Sequence, residues 1–170
     1  QGRLPLLQCV QAAEKQLAAA PKPRGYLPID GLAAYDQGVK NLVFGEGSQV
    51  LQDGRVATVQ AIGGTGGLKV GADLLKKISP SAKVLISDPS WENHRAIFSS
   101  AGFEVDSYPY YDAATRGINF AGLLAALQAA PAGTIVLLHA CCHNPTGYDL
   151  TPAQWDQIIA VIQAGNLTPF

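Results

Sequence analysis

The sequence has little charge and no long apolar run. Only 15% of its 170 residues are charged, and the formal net charge is -1 at pH 7. Because no basic stripe could neutralise a run of phosphates, we expect no nucleic-acid partner. No apolar run approaches the roughly 18 to 20 residues that a membrane-spanning helix needs, and no charged N-terminal region leads into a signal-type core. These absences predict a soluble cytoplasmic protein without a membrane partner.

Cysteine is scarce as well. The three cysteines are Cys9, Cys141 and Cys142, too few for a disulfide framework or a cysteine-based zinc set. We expect all three to be small buried residues in a reducing compartment. His139 and His143 lack a carboxylate or a third histidine at ligand spacing, which argues against a metal site.

Two common catalytic signatures are missing. The sequence contains no Gly-x-Ser-x-Gly elbow, and its glycine run at residues 63–67 lacks the Lys-Ser/Thr ending of a nucleotide P-loop. A serine or cysteine nucleophile and a P-loop nucleotide site are therefore both disfavoured.

Short apolar strands alternating with helices occupy the second part of the chain. A glycine loop precedes the first of these helices. The predicted strands are 84–86, 104–108 and 134–138, and the predicted helices are 67–78, 93–101, 120–130 and one that begins at Thr151 with Pro152 just inside it. This alternation predicts an α/β fold with a mostly parallel sheet.

The first part of the chain is less regular. Helical spacing covers residues 4–20, and Asp30 is predicted to cap a helix over 32–39. Turns are predicted at 45–47 and 52–55, so we expect loops wrapped over a scaffold. Both ends look cut, because the chain opens without Met and stops where a turn would feed another strand. We therefore expect one domain, or part of one, from a longer protein.

The glycine run at 63–67 is a candidate anion site. Bare backbone N–H groups, the Thr65 hydroxyl and the positive end of the following helix could converge on a phosphate. A tight structural turn would explain the same glycines, so both interpretations stay open.

Two polar segments directly follow predicted strands. Residues 87–91, which end in Trp91, follow the strand at 84–86, and residues 139–147 follow the strand at 134–138. Parallel strands present their carboxyl ends at one edge, so these segments are expected to converge where α/β sheets bind ligands. Trp91 could stack on a flat cofactor or fill the core, and Asn144 could act in a site or only form a turn.

Four segments together carry a family resemblance. Residues 26–31, 63–66, 87–94 and 139–147 resemble the aspartate and aromatic amino acid aminotransferases, in the family's order and with nearly its spacing. The resemblance covers essentially the whole chain. It implies that residues 1–170 form part of the large cofactor-binding domain of a fold-type I enzyme. That domain has a mainly parallel sheet with helices on both faces.

The resemblance also implies a set of residues for pyridoxal 5'-phosphate. Gly64 and Thr65 would donate to the cofactor phosphate, and Gly63 would shape the loop. Tyr26 would reach the phosphate of the neighbouring subunit's cofactor, which makes the protein a homodimer with shared active sites.

Further residues would serve the cofactor ring. Trp91 would stack on the ring and meet the substrate carboxylate through its indole N–H, and Asn144 would hydrogen-bond the phenolic oxygen. His94 and His139 would lie near the carboxylate that pairs with the ring nitrogen, and so orient it.

The implied reaction moves an amino group between aspartate or an aromatic amino acid and a 2-oxo acid. In the family a lysine carries the cofactor, and the resemblance places it beyond Phe170, so the 170-residue chain alone is expected to be inactive. Four lysines are expected to be solvated surface residues: Lys69, Lys76, Lys77 and Lys83. Two alternatives stay open. One is another fold-type I enzyme, such as a lyase or decarboxylase, and the other is a non-catalytic phosphate-binding module.

Overall fold

The computed structural model describes residue 2 and residues 4–170, and the chain divides into two compact units, Gln1–Gln60 and Ala61–Phe170. The expectation that the chain start is cut rests in part on Gln1 and Arg3, which lie outside the described residues.

The first unit contains three helices: α1 (Gln8–Ala19), α2 (Ala33–Phe44) and α3 (Gln49–Gln52). The helix predicted over 4–20 is present but starts four residues later, with the extended Leu7 as its N-cap. The predicted turns at 45–47 and 52–55 flank α3. The expectation of loops over a scaffold is wrong for this stretch, because α2 alone spans 12 residues.

The predicted capping role of Asp30 is also wrong, since Leu32 is the N-cap of α2. The Gly31 N–H donates to the Pro28 carbonyl at 2.9 Å, which closes a turn with Gly31 at a φ of +97°. The Leu32 N–H then donates to Gln60 Oε1 at 3.0 Å. Because of this turn, Asp30 does not occupy the N-cap position of α2.

The second unit is an α/β layer. Its helices are α4 (Gly63–Ile78), α5 (Glu92–Ser100), α6 (Phe120–Ala129) and α7 (Pro152–Ala164), and its strands are β1 (Lys83–Asp88), β2 (Glu104–Pro109), β3 (Tyr111–Asp112), β4 (Gly117–Ile118), β5 (Ile135–Val136) and β6 (Thr168–Pro169). The main sheet has the order β2-β1-β5-β6, and each neighbouring pair is parallel. Strands β3 and β4 form an antiparallel hairpin that the sequence pattern missed.

Successive residues of the central strands face opposite sides of the sheet. Val84 and Ile86 pack with α4 and α5 in one buried cluster, whereas Leu85 packs with α6 and α7 in the other. Strand β5 alternates in the same way, with Ile135 in the first cluster and Val136 in the second. Apolar residues therefore cover both faces, as buried parallel strands require. The predicted α/β fold with helices on both faces is confirmed.

Strand β5 is shorter than the predicted run of 134–138, but hydrogen bonds to the neighbouring chain segments continue beyond Val136. The Leu137 N–H donates to the Leu85 carbonyl and the Leu138 N–H to the Phe170 carbonyl, each at 2.9 Å. Extended chain thus continues from β5 to His139, which places the following polar segment at the carboxyl edge of the sheet.

The start of α7 is confirmed in detail. The Gln154 N–H donates to Thr151 Oγ1 at 3.3 Å, and the Thr151 N–H donates to Gln154 Oε1 at 2.9 Å. This reciprocal pair, with Pro152 in the first turn, satisfies backbone donors that the helix itself leaves free. The cap fixes where the chain leaves the 139–147 segment and enters the helix.

The expected burial of the cysteines is wrong, because all three are exposed. Cys9 lies on α1, which has no buried residue, so no layer covers it. Cys141 and Cys142 lie in the turn after β5, where Cys142 adopts a φ of +53°. Within residues 2 and 4–170, no helix combines the length and apolar character needed to span a membrane.

Candidate functional site

The polar segments that follow β1 and β5 meet at the carboxyl edge of the sheet. Ser87 Oγ, near the end of β1, lies 2.9 Å from Nε2 of His143, which follows β5. The hydrogen bond is buried, and it joins residues 56 positions apart in sequence. The convergence expected from the parallel sheet is therefore present in the structure.

Five rings form a continuous row at this edge, which we call the ring row. Trp91 meets His94 edge to face with centroids 5.2 Å apart, and His94 meets His139 in the same manner at 5.0 Å. His139 stacks on His143 at 4.3 Å, and His143 stacks on Tyr110 at 3.8 Å. The row links the end of β1 to the turn after β5 and to the residue that follows β2.

Each imidazole in the row has a hydroxyl or backbone partner. His94 Nδ1 lies 2.8 Å from Ser90 Oγ, and His139 Nδ1 accepts the Asn144 backbone N–H at 3.0 Å. The proton of a neutral His139 is therefore on Nε2. That atom is buried and has no hydrogen-bond partner within the described part of the chain. A donor is therefore available here to an acceptor from outside these residues.

Burial keeps the imidazoles uncharged. Desolvation, followed by the neighbouring His139, lowers the pKa of His94 from 6.5 to about 4. The pKa of His143 falls to about 4 for the same two reasons, in the same order. Desolvation also lowers the pKa of His139, while the carboxylate of Asp149 opposes the change. At neutral pH the row offers hydrogen-bond donors and acceptors without positive charge.

Asp149 holds the turn at 139–147. Its two carboxylate oxygens accept the backbone N–H groups of Cys142 and His143, each at 2.8 Å. These two bonds are the main reason that the pKa of Asp149 is below its usual value. The side chain of Asn144 is exposed, and none of the hydrogen bonds of the described residues involves its amide group. The turn thus fixes the Asn144 backbone and leaves the amide for a ligand.

Trp91 is half-buried at the N-cap of α5 and lines an open cleft of about 340 Å³. Ser87, Ser90 and Arg95 line the same cleft. An indole buried in the core would have apolar contacts on both faces, whereas this one borders solvent-accessible space. Trp91 is therefore only partly enclosed, and one side of it borders the open cleft.

The glycine run forms the first turn of α4, so the predicted helix start near Gly67 is wrong. Gly63 has a φ of +61°, which turns the chain into the helix and lets Gly64 and Thr65 adopt helical backbone. The first three N–H groups of α4 have no acceptor within the helix, and no side chain caps them. A Cβ at Gly63 or Gly64 would meet nothing within 4 Å, so the backbone can be approached closely.

Some residues of the proposed set are brought together and others are not. The ring row and the turn after β5 contain Trp91, His94, His139 and Asn144. Among the described residues, no hydrogen bond or ring contact joins Gly63, Gly64 or Thr65 to the ring row. Tyr26 lies in the other unit, between α1 and α2, and is fully exposed.

The four lysines differ in exposure. Lys77 and Lys83 are exposed, as predicted, and Lys83 pairs with Glu104 at 2.9 Å. The other two lie at the surface with part of the side chain covered: Lys69, whose side chain is 39% exposed, pairs with Asp73, and Lys76 is half-buried with its Nζ 4.6 Å from the Phe103 ring centroid. Three of the four cations, those of Lys69, Lys76 and Lys83, therefore have a local structural partner.

Sequence reasoning did not assign roles to Ser87, Tyr110, His143 and Asp149. Ser87 and His143 lie in the two polar segments that follow the strands, and this position could have indicated them. Tyr110 follows β2, which neighbours β1, so the register of the sheet could have indicated it. Among the described residues, no group of three or more metal-ligating side chains could hold a metal ion.

The model of the family described as aminotransferase class I and II matches residues 1–170. The aspartate aminotransferase of Pseudomonas aeruginosa is 61% identical over 170 residues, which cover 100% of this chain and 43% of that protein. The aromatic-amino-acid aminotransferase of Escherichia coli is 54% identical over 170 residues, covering 99% of this chain and 43% of that protein. The chain therefore spans less than half the length of these relatives.

A solved structure gives the same result for the fold. The aromatic-amino-acid aminotransferase from Burkholderia pseudomallei, covalently bound to pyridoxal phosphate, superimposes with a TM-score of 0.94. The two sequences are 61% identical, and the match covers 98% of this chain and 42% of that one.

Proposed function

The chain belongs to the aminotransferase class I and II family, and from this we propose that the protein containing it is a pyridoxal-phosphate-dependent aminotransferase of aspartate or aromatic amino acids. The observation that carries the proposal is the buried Nε2–H of His139, which has no acceptor within the described residues. A carboxylate paired with the cofactor ring nitrogen would supply that acceptor.

The start of α4 fits the phosphate of the cofactor. Gly63, Gly64 and Thr65 present backbone N–H groups that the helix leaves free, and the helix dipole favours an anion there. The open space beside Gly63 and Gly64 would admit phosphate oxygens close to the backbone. We propose that Thr65 adds its hydroxyl to these donors.

The edge of the sheet fits the cofactor ring. When bound, pyridoxal phosphate supplies an electron sink for bonds at the α-carbon of an amino acid. Trp91 would give the ring a flat apolar surface, and its indole N–H would meet the substrate carboxylate. Asn144 would donate from its free amide to the phenolic oxygen and so hold the ring in register.

The neutral imidazoles would serve the side of the cofactor ring that carries its nitrogen. His94 and His139 would orient a carboxylate without neutralising it, since their lowered pKa values keep them uncharged at pH 7. The carboxylate would therefore keep its charge for the ring nitrogen. Another group would then transfer the proton, and the two histidines would orient the carboxylate.

Two parts of the site would come from elsewhere. We propose that a lysine beyond Phe170 carries the cofactor and moves the proton at the α-carbon, because this chain covers only 43% of the aspartate aminotransferase that it matches. We also propose a cytoplasmic homodimer in which the exposed Tyr26 reaches the phosphate bound by the other subunit. The 170-residue chain alone would then be inactive.

Substrate choice lies between two classes. An aspartate aminotransferase and an aromatic-amino-acid aminotransferase are each 61% identical to this chain, so identity over this segment does not rank them. We propose that the protein accepts at least one of the two classes of amino acid, with a 2-oxo acid as the partner substrate.

The test is transfer of nitrogen by the full-length protein. Aspartate, tyrosine and phenylalanine labelled with ¹⁵N are each incubated with 2-oxoglutarate and the cofactor, and the products are identified by mass spectrometry. The proposal expects labelled glutamate from at least one donor. Free ammonia or carbon dioxide without labelled glutamate would contradict it and favour a lyase or a decarboxylase.

A further inference from the structure

His143 occupies a central place in the ring row and contacts both polar segments. Its side chain is 2% exposed, between the rings of His139 and Tyr110. Nε2 lies 2.9 Å from Ser87 Oγ, and Nδ1 lies 2.8 Å from Thr146 Oγ1. One imidazole therefore connects the end of β1 with the turn that carries Asn144.

The Ser87 hydroxyl lies near the end of β1, beside β2. Ser87 pairs with Tyr108 in the parallel register of β1 and β2, and the Tyr108 hydroxyl donates to the Leu137 carbonyl at 2.8 Å. Ser87 Oγ can accept from Nε2 of His143 or donate to it, so the tautomer of His143 depends on the partner of the other ring nitrogen.

The other ring nitrogen favours one tautomer. Thr146 Oγ1 accepts the Tyr148 N–H at 3.2 Å, and among the hydrogen bonds of the described residues Nδ1 of His143 is the one acceptor within reach of the Thr146 proton. When Thr146 donates to Nδ1, a neutral His143 carries its own proton on Nε2 and donates it to Ser87 Oγ.

We propose that His143 is a positioning residue whose Nε2–H bond to Ser87 sets the placement of Asn144 and His139 relative to Trp91. The reason is geometric, because Ser87 lies four residues before Trp91 and His143 lies directly before Asn144. The inference rests on the proposed function, since it assigns these three residues to one cofactor ring.

The two hydrogen bonds of His143 can be separated by matched variants. In His143→Gln the amide nitrogen reaches the place of Nε2 and keeps the donor to Ser87. In His143→Asn the amide lies at the place of Nδ1, so the bond to Thr146 is kept and the bond to Ser87 is lost. Both variants lose the stacked ring, so a difference between them reports on the Ser87 bond. Ser87→Ala removes the same bond from its other end.

The spectroscopic measurement is a pH titration of the visible absorbance of the cofactor-loaded, full-length protein. Asn144 would donate to the phenolic oxygen, so a displaced Asn144 shifts the midpoint of that titration. We expect a shift in His143→Asn and in Ser87→Ala. Both variants should also lose about tenfold or more in kcat/KM, since small misplacements at a reacting centre are costly. His143→Gln should stay near the wild-type midpoint.

A second measurement needs no cofactor. The ¹⁵N resonances of histidine-labelled full-length apoprotein report which ring nitrogen carries the proton. We expect His143 to carry it on Nε2, with Nδ1 unprotonated, and Ser87→Ala to perturb the Nε2 signal most.

Each outcome has a separate meaning. If the wild type is active but His143→Asn and Ser87→Ala keep the wild-type midpoint, the positioning role is overturned and the proposed function is not. A proton on Nδ1 of His143 would have the same consequence. A wild type that binds no cofactor would overturn the proposed function, and the positioning role with it.

Discussion

The imidazole rings of His139 and His143 lie 4.3 Å apart at an interplanar angle of 27°. Two charged imidazoles at this separation would repel each other, and His94 adds a third ring 5.0 Å from His139. Burial and this proximity act in the same direction, since both disfavour the protonated forms. The three imidazoles at this edge of the sheet are therefore uncharged at neutral pH.

The neutral imidazoles predict a specific loss of stability in acid. His94 and His143 have pKa values of about 4 in the folded protein, against an ordinary value of 6.5. The unfolded chain binds these protons more tightly, so the free energy of unfolding is highest above pH 6.5 and decreases as pH falls toward 4. Urea unfolding of the full-length protein between pH 7 and pH 4.5 measures the decrease. The double variant His94→Gln/His143→Gln should show a shallower pH dependence, and an unchanged slope would contradict the assignment.

Replacing Asp149 should lower activity, whereas replacing a surface carboxylate elsewhere should not. Asp149→Asn replaces one of the two oxygens that accept the Cys142 and His143 N–H groups. We expect a lower kcat/KM, because the turn that carries Asn144 is held less firmly. Its stability deficit should shrink as pH falls through the lowered pKa of Asp149, since the wild-type carboxylate is then protonated as well.

Asp112→Asn is the matched control for this prediction. Asp112 also accepts a backbone N–H and a hydroxyl, at 2.9 and 2.8 Å, but it lies on the β3–β4 hairpin. The control variant should retain wild-type kcat/KM. Equal activity losses in the two variants would show that the effect of Asp149 is general and has no connection with the turn.

Replacing Thr65 should lower the affinity for the cofactor without unfolding the protein. Thr65 is exposed in the first turn of α4, so Thr65→Val should leave the unfolding midpoint nearly unchanged. A hydrogen bond to a charged phosphate contributes about 1.5 to 3 kcal/mol, so pyridoxal phosphate should bind roughly 10-fold to 100-fold more weakly. Equilibrium dialysis of the full-length apoprotein measures this. Thr65→Ser keeps the hydroxyl and should bind within a few-fold of wild type, whereas equal affinity in Thr65→Val would remove Thr65 from the site.

The second unit could be predicted from sequence because local and global signals agree there. The apolar run at β5 and the Thr151 and Pro152 start of α7 follow from short segments alone, and the structure keeps both. The hairpin of β3 and β4 was missed because each strand has only two residues, too few for an alternating pattern. The start of α4 was misplaced because glycines have low helix propensity, although the helix in fact begins at Gly63.

The candidate site was predictable in part. Parallel strand order places Trp91 and Asn144 at one edge, and this follows from the pattern of strands and polar segments. The role of Asp149 and the stacking of Tyr110 on His143 depend on contacts 6 to 33 residues apart, which no local pattern encodes. Cysteine exposure was misjudged for the same reason, since burial preference describes an average and the turn after β5 lacks a covering layer.

The most direct test of the account is reduction of the full-length protein with borohydride after incubation with pyridoxal phosphate, followed by peptide mass mapping. Borohydride fixes the cofactor to the lysine that carries it, and the mapping identifies that lysine. We expect one cofactor per chain, on a lysine beyond Phe170. No adduct, or an adduct on Lys69 or Lys76, would contradict it.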